Sequence, residues 1–139
     1  MTASQRVAQV FGWAFIAVGL LGFAATGSSM NPSHLTAPRL FGLFPVNVLH
    51  NVVHLVFGLW GVLGARSAGA ARSYLVGAGL VYLVLAGLGF VTPDGLGLVP
   101  IGGNDIGLHV FLAAGLLLSG LALGRGTDAA ARPPARPAA

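Results

Sequence analysis

The chain of 139 residues contains no cysteine, no lysine and no glutamate. The missing thiol excludes structural disulfides, thiolate metal sites and thiol-based redox chemistry, including that of the four-helix membrane disulfide oxidoreductases. The other two absences leave arginine as the strong base and Asp94, Asp105 and Asp128 as the acids. Charged residues make up 7% of the chain, against roughly 25% in soluble domains. The net charge of +4 therefore reflects scarce acids. No basic stripe or aromatic platform accompanies it, so no nucleic-acid partner is expected. No Walker loop, dinucleotide fingerprint or HExxH motif occurs either. The string HNVVH at 50–54 has the histidine spacing of that zinc motif but lacks its glutamate. A peptidase built on it would have no general base.

What is present is apolar. Hydrophobic residues make up 55% of the chain and the mean hydropathy is +0.85. The length fits one domain, and such a small core cannot hide this much apolar surface from water. Lipid is the expected solvent. Four apolar stretches cover residues 7–25, 46–65, 73–91 and 105–123. Each is close to the ~20 residues needed to cross ~30 Å of hydrocarbon, and in lipid a helix satisfies its own backbone. The first stretch follows Arg6 but exceeds the ~7–15 residue core of a signal peptide, so it is expected to be retained.

The expected fold is all-α: a four-transmembrane-helix bundle over residues 1–123, followed by a disordered Ala/Pro/Arg tail over 124–139. With four spans, Arg6, Arg66, Arg72, Arg125, Arg132 and Arg136 fall on one side, and Arg39, Asp94 and Asp105 on the other. The positive-inside rule then places both termini in the cytoplasm, in a bacterial inner membrane. The tail arginines would lie near anionic headgroups.

Two segments match each other. Gly42-Leu43-Phe44-Pro45 corresponds to Gly97-Leu98-Val99-Pro100, and the histidines His54 and His109 follow the two prolines at equal distance. On this register His50 corresponds to Asp105. The preceding stretches match more weakly, GLLGF at 19–23 with AGLGF at 86–90, which sets Phe15 opposite Tyr82. The pattern predicts two tandem helical hairpins related by an axis along the membrane normal.

On a helical wheel Asn47, His50, Asn51 and His54 share one face, which continues through Gly58, Gly61 and Ala65. That face is expected to point into the bundle, with polar groups bonding across helices at its outer end and small residues packing closely below. Asp105 and His109, at i and i+4, form a second polar face. If the second and fourth helices meet, His50, His54, Asp105 and His109 converge near the outer surface. Three imidazoles and a carboxylate could ligate zinc, iron or copper, with Asn47, Asn51 and Asn104 orienting them. Haem b is the other cofactor considered, with His54 and His109 as its axial pair. The competing reading is structural: the same groups hydrogen-bond between helices. Pro45 suits a first helical turn and Asn104 an N-cap. His34 is expected to be solvated in the outer loop. Phe11, Trp13, Phe15, Tyr74 and Tyr82 read as lipid-facing or belt residues.

The run FPVN-x-x-HN-x-x-H and the later ND-x-x-LH resemble a family of small bacterial membrane proteins catalogued as domain of unknown function 4383. The resemblance spans roughly residues 5 to 123. It places the family's polar positions on Asn47, His50, Asn51, His54, Asn104, Asp105 and His109. It implies a four-helix integral protein of actinobacterial or similar high-GC origin, with no activity or substrate attached. The leading expectation is a non-enzymatic accessory or structural protein in contact with the bilayer, and in a larger complex or a homo-oligomer. The alternative is a metal- or haem-binding redox or trafficking protein.

Overall fold

A computed structural model describes the backbone of residues 1–130 and the side chains of residues 1–123. Helix α1 (Ala3–Thr26) opens on a reciprocal cap. Thr2 Oγ1 accepts from the Gln5 N–H at 3.3 Å and Gln5 Oε1 accepts from the Thr2 N–H at 2.8 Å, which answers two otherwise orphaned donors. Strands β1 (Arg39–Leu40) and β2 (Phe44–Pro45) form a small antiparallel hairpin pairing Arg39 with Pro45 and Leu40 with Phe44. Helices α2 (Val48–Gly64), α3 (Ala68–Val91), the single turn α4 (Gly95–Leu98) and α5 (Asn104–Ala130) follow.

Three segments are long and apolar enough to cross a membrane: Ala3–Thr26, Ala68–Val91 and Asn104–Leu123. The second apolar stretch gives a shorter helix of 17 residues, roughly 25 Å at 1.5 Å per residue. Asn47 sets its start. The Asn47 Oδ1 accepts from the His50 N–H at 2.8 Å, which makes Asn47 the N-cap and leaves Pro45 in β2 rather than in a first helical turn. Asn104 likewise is not a cap. It is the first residue of α5, and its Nδ2 donates to the Leu43 carbonyl at 3.3 Å. The α5 backbone continues over residues 124–130, where a disordered tail is expected from the sequence, because no proline intervenes between Asn104 and Ala130. The rest of that tail, 131–139, lies outside the described residues.

Helix α1 packs chiefly on α2, and α3 on α5. Glycine permits both approaches. A Cβ on Gly58 would stand 2.7 Å from the Gly12 carbonyl oxygen, and one on Gly120 would stand 3.1 Å from the Val76 nitrogen. Between the pairs lies a core of Phe15, Tyr74, Leu75, Ala78, Tyr82, Ala113 and Leu116. This corrects the belt assignment of Phe15, Tyr74 and Tyr82, which are 3%, 0% and 2% exposed. The reason is mutual: Phe15 and Tyr82 stack with centroids 5.3 Å apart and planes within 3°. Trp13, by contrast, is exposed on the outer surface of α1.

Candidate metal centre

The face of α2 expected to point inward does so. Asn47, His50, Asn51, His54, Gly58, Gly61 and Ala65 are all buried. Helical periodicity alone brings them onto one side. On α5 the same periodicity stacks Asp105 above His109, both buried. The Asp105 Oδ2 lies 3.4 Å from His109 Nε2 and 3.8 Å from His50 Nε2. One ligand atom from each of these three residues lies within 4.8 Å of the other two. Donors held at about 2.0–2.2 Å on a single ion stand roughly 3–3.5 Å apart, so a small inward shift of the three side chains would meet that spacing.

His54 belongs to the layer without joining the three. Its ring stacks on His50 at 4.9 Å and 9°, and its other neighbour is Phe15 at 5.7 Å. His109 faces Tyr82 in turn, at 5.3 Å. Two cavities flank the layer. One of about 80 Å³ touches His50, His54, His109 and Tyr82. The other, about 160 Å³, touches His50, His54, Asp105 and the hairpin residues Leu40 and Phe41.

The hydrogen-bond account of the layer does not close. Among the described residues, His50 Nδ1, His54 Nδ1, His109 Nδ1 and Asp105 Oδ2 are buried and make no hydrogen bond of good geometry. The carbonyls of Pro45 and Pro100 lie beside the His50 ring without completing one. An unpaired buried polar atom costs about 1–3 kcal/mol. A layer with four of them works against stability unless something else engages it.

The asparagines are better partnered. Asn47 Nδ2 donates to the Leu98 carbonyl at 2.8 Å while its Oδ1 caps His50. Asn51 Nδ2 donates to Thr26 Oγ1 at 3.0 Å, in a space opened by Gly22, where a Cβ would collide with the Asn51 side chain. With the Asn104 bond to Leu43, these side chains hold backbone and neighbouring helices. Their influence on the rings runs through the backbone, most directly at His50. His34 is not in the layer. Its backbone N–H donates to Asp94 Oδ1 at 2.8 Å and its Nδ1 lies 2.7 Å from the same oxygen. These bonds tie the two loops together and hold the Asp94 carboxyl below the usual carboxylate range.

Phe15 and Tyr82 line the layer from below and were legible only indirectly. The weak internal match sets them opposite each other, and in the structure their rings stack. No curated protein and no solved structure matches the chain. The sequence profile described as "Domain of unknown function (DUF4383)" matches residues 5–122. With the profile covering most of its length, and with the polar layer lying inside the matched region, the chain belongs to the family of domain of unknown function 4383.

Proposed function

We propose that the chain is a four-span integral membrane protein whose polar layer holds a transition-metal ion through His50, Asp105 and His109. The observation that carries this reading is the convergence of three ligand atoms within 4.8 Å, on side chains buried in apolar surroundings and short of hydrogen-bond partners. Two imidazoles and one carboxylate suit zinc or ferrous iron, and copper accepts imidazole as well. His54 stands beside the three and supports them through its stacked ring.

Haem b between His54 and His109 has less support. The flanking cavities of about 80 and 160 Å³ fall short of the roughly 300–1,000 Å³ of organic-ligand sites. The orientation follows from charge. Arg6, Arg66 and Arg72 sit at the end opposite the layer, and the positive-inside rule makes that end cytoplasmic in a bacterial inner membrane. The two hairpins, α1–α2 and α3–α5, are then tandem copies that place the layer at the outer side.

The second reading is a structural or accessory subunit, in which the polar groups only join helices. The paired bonds from Asn47 to Leu98 and from Asn104 to Leu43 favour it. Elemental analysis separates the two. Full-length protein purified in detergent, loaded with zinc or ferrous iron and desalted, should retain about one ion per chain. His50→Ala, Asp105→Ala and His109→Ala should each lose it while His34→Ala keeps it. Wild type that retains no ion, or variants that retain it unchanged, would leave the structural reading standing.

A further inference from the structure

The two cavities correspond to each other in part of their linings. The register that pairs Gly42 with Gly97 and His54 with His109 also pairs Phe44 with Val99, Val46 with Ile101 and Leu108 with Val53. The register that pairs Phe15 with Tyr82 pairs Val18 with Leu85. Val18, Phe44, Val46 and Leu108 line the larger cavity. Leu85, Val99, Ile101 and Val53 line the smaller. Each of these four wall residues thus has its counterpart in the opposite wall. These registers come from the GLxP and histidine motifs and from the GLLGF/AGLGF match, and not from the cavities themselves.

The coordination chemistry gives the pair a use. Three protein atoms converge at the layer, whereas zinc and iron take about four to six ligands. His54 is held flat against His50, which leaves coordination positions free on the flanks. Both cavities touch His50; the smaller adds His109 and the larger adds Asp105. Apart from His54, which lines both, and Tyr82 in the smaller, their remaining walls are aliphatic or aromatic, so a charged ligand would be poorly solvated there. An apolar cavity of about 150 Å³ accepts an atom or molecule the size of xenon or benzene.

We infer that the ion of the His50–Asp105–His109 layer is open to exogenous ligands, and that two chambers admit small neutral molecules to it, up to single-ring size in the larger of about 160 Å³ and nearer diatomic size in the smaller of about 80 Å³. This rests on the metal reading above. The chambers lie on opposite sides of the layer, one walled by α1 and the β-hairpin, the other by α3 and the segment after α4. Molecules of this class also dissolve in lipid, so the bilayer itself can deliver them.

Nitric oxide is the probe. Full-length protein loaded with ferrous iron is exposed to it in detergent, and the ferrous nitrosyl is followed by electron paramagnetic resonance, with iron content measured on the same sample. The expected result is about one adduct per retained iron. Val18→Trp or Leu85→Trp, each obstructing one chamber, should roughly halve the rate of adduct formation. The double variant should slow it at least about ten-fold, with iron content unchanged. Leu108→Phe with Val53→Phe obstructs the same two chambers and serves where the tryptophans disturb folding. Iron retained without any adduct would overturn the inference and leave the metal reading intact. An adduct rate unaffected by both double variants would overturn the role of the chambers. No retained iron would overturn the metal reading and the inference together.

Discussion

The two ends of the helix assembly are built by different rules. At the end where α1 begins and α2 closes, Thr2 and Gln5 cap each other, Gln5 Nε2 donates to the Ala65 carbonyl at 2.9 Å, and Ser67 caps α3. The helices there meet through glycine and alanine. Among the described residues the Tyr74 hydroxyl is the one buried polar atom at that end without a partner. At the opposite end the histidine rings, the Asp105 carboxylate and the Asn51 carbonyl all carry one. Apolar packing and helix caps account for the first end apart from the Tyr74 hydroxyl. They do not explain why the second end buries groups it leaves unpaired, and the ion binding proposed above would engage them.

The largest expected effect breaks the well-packed end. Gly58→Leu forces a side chain against the Gly12 carbonyl and Ile16, separates α1 from α2, and should cost about 3 kcal/mol or more. Denaturant unfolding in mixed micelles would show it. Next is the polar end. With free zinc or iron at about 100 times its Kd, wild type should gain roughly 2.7 kcal/mol of stability, and Asp105→Asn should gain none. Without metal, Asp105→Asn should be no less stable than wild type, because it removes a buried carboxylate oxygen that has no hydrogen-bond partner. A strong loss of metal-free stability would erase the contrast between the ends.

Asn51→Ala should be milder. It breaks the bond to Thr26, worth about 0.6–1.7 kcal/mol between membrane helices, and should leave metal content unchanged. The smallest effect lies in the loops. The Asp94 carboxyl is held below its ordinary value of 3.8, first by its side-chain bond with His34. A carboxylate depressed in the folded state stabilises above its unfolded pKa and loses that contribution as pH falls through the folded one. The loop tie should therefore hold at neutral pH and loosen only below about pH 3.8. His34→Ala removes the side-chain bond but keeps the backbone one, and should weaken that acid-dependent step in hydrogen exchange of the two loops while leaving the helices protected.

Much of this was legible in the sequence. The inward face of α2 follows from spacing alone, since seven residues from Asn47 to Ala65 share one side and all are buried. Asp105 and His109 likewise follow from i, i+4 spacing. The start of α2 was harder to place. Pro45 fits a strand or a first turn equally well, and the Asn47 cap decides between them. Phe15, Tyr74 and Tyr82 misled because an aromatic ring in an apolar helix can face lipid or protein, and composition does not distinguish the two. His34 could not be assigned to Asp94 because the contact joins loops 60 residues apart. The precise selection of His50 over His54 depends on ring orientation, which no spacing rule contains.

X-ray absorption of the metal-loaded, full-length protein reads the proposed ligands at the ion itself. The expected spectrum has a first shell of nitrogen and oxygen at about 2.0–2.2 Å with the outer-shell scattering of two imidazoles. Substituting His50 or His109 should remove one imidazole contribution, and substituting His34 should remove none. A first shell without imidazole scattering, or one unchanged in the His50 and His109 variants, would contradict the proposed ligands.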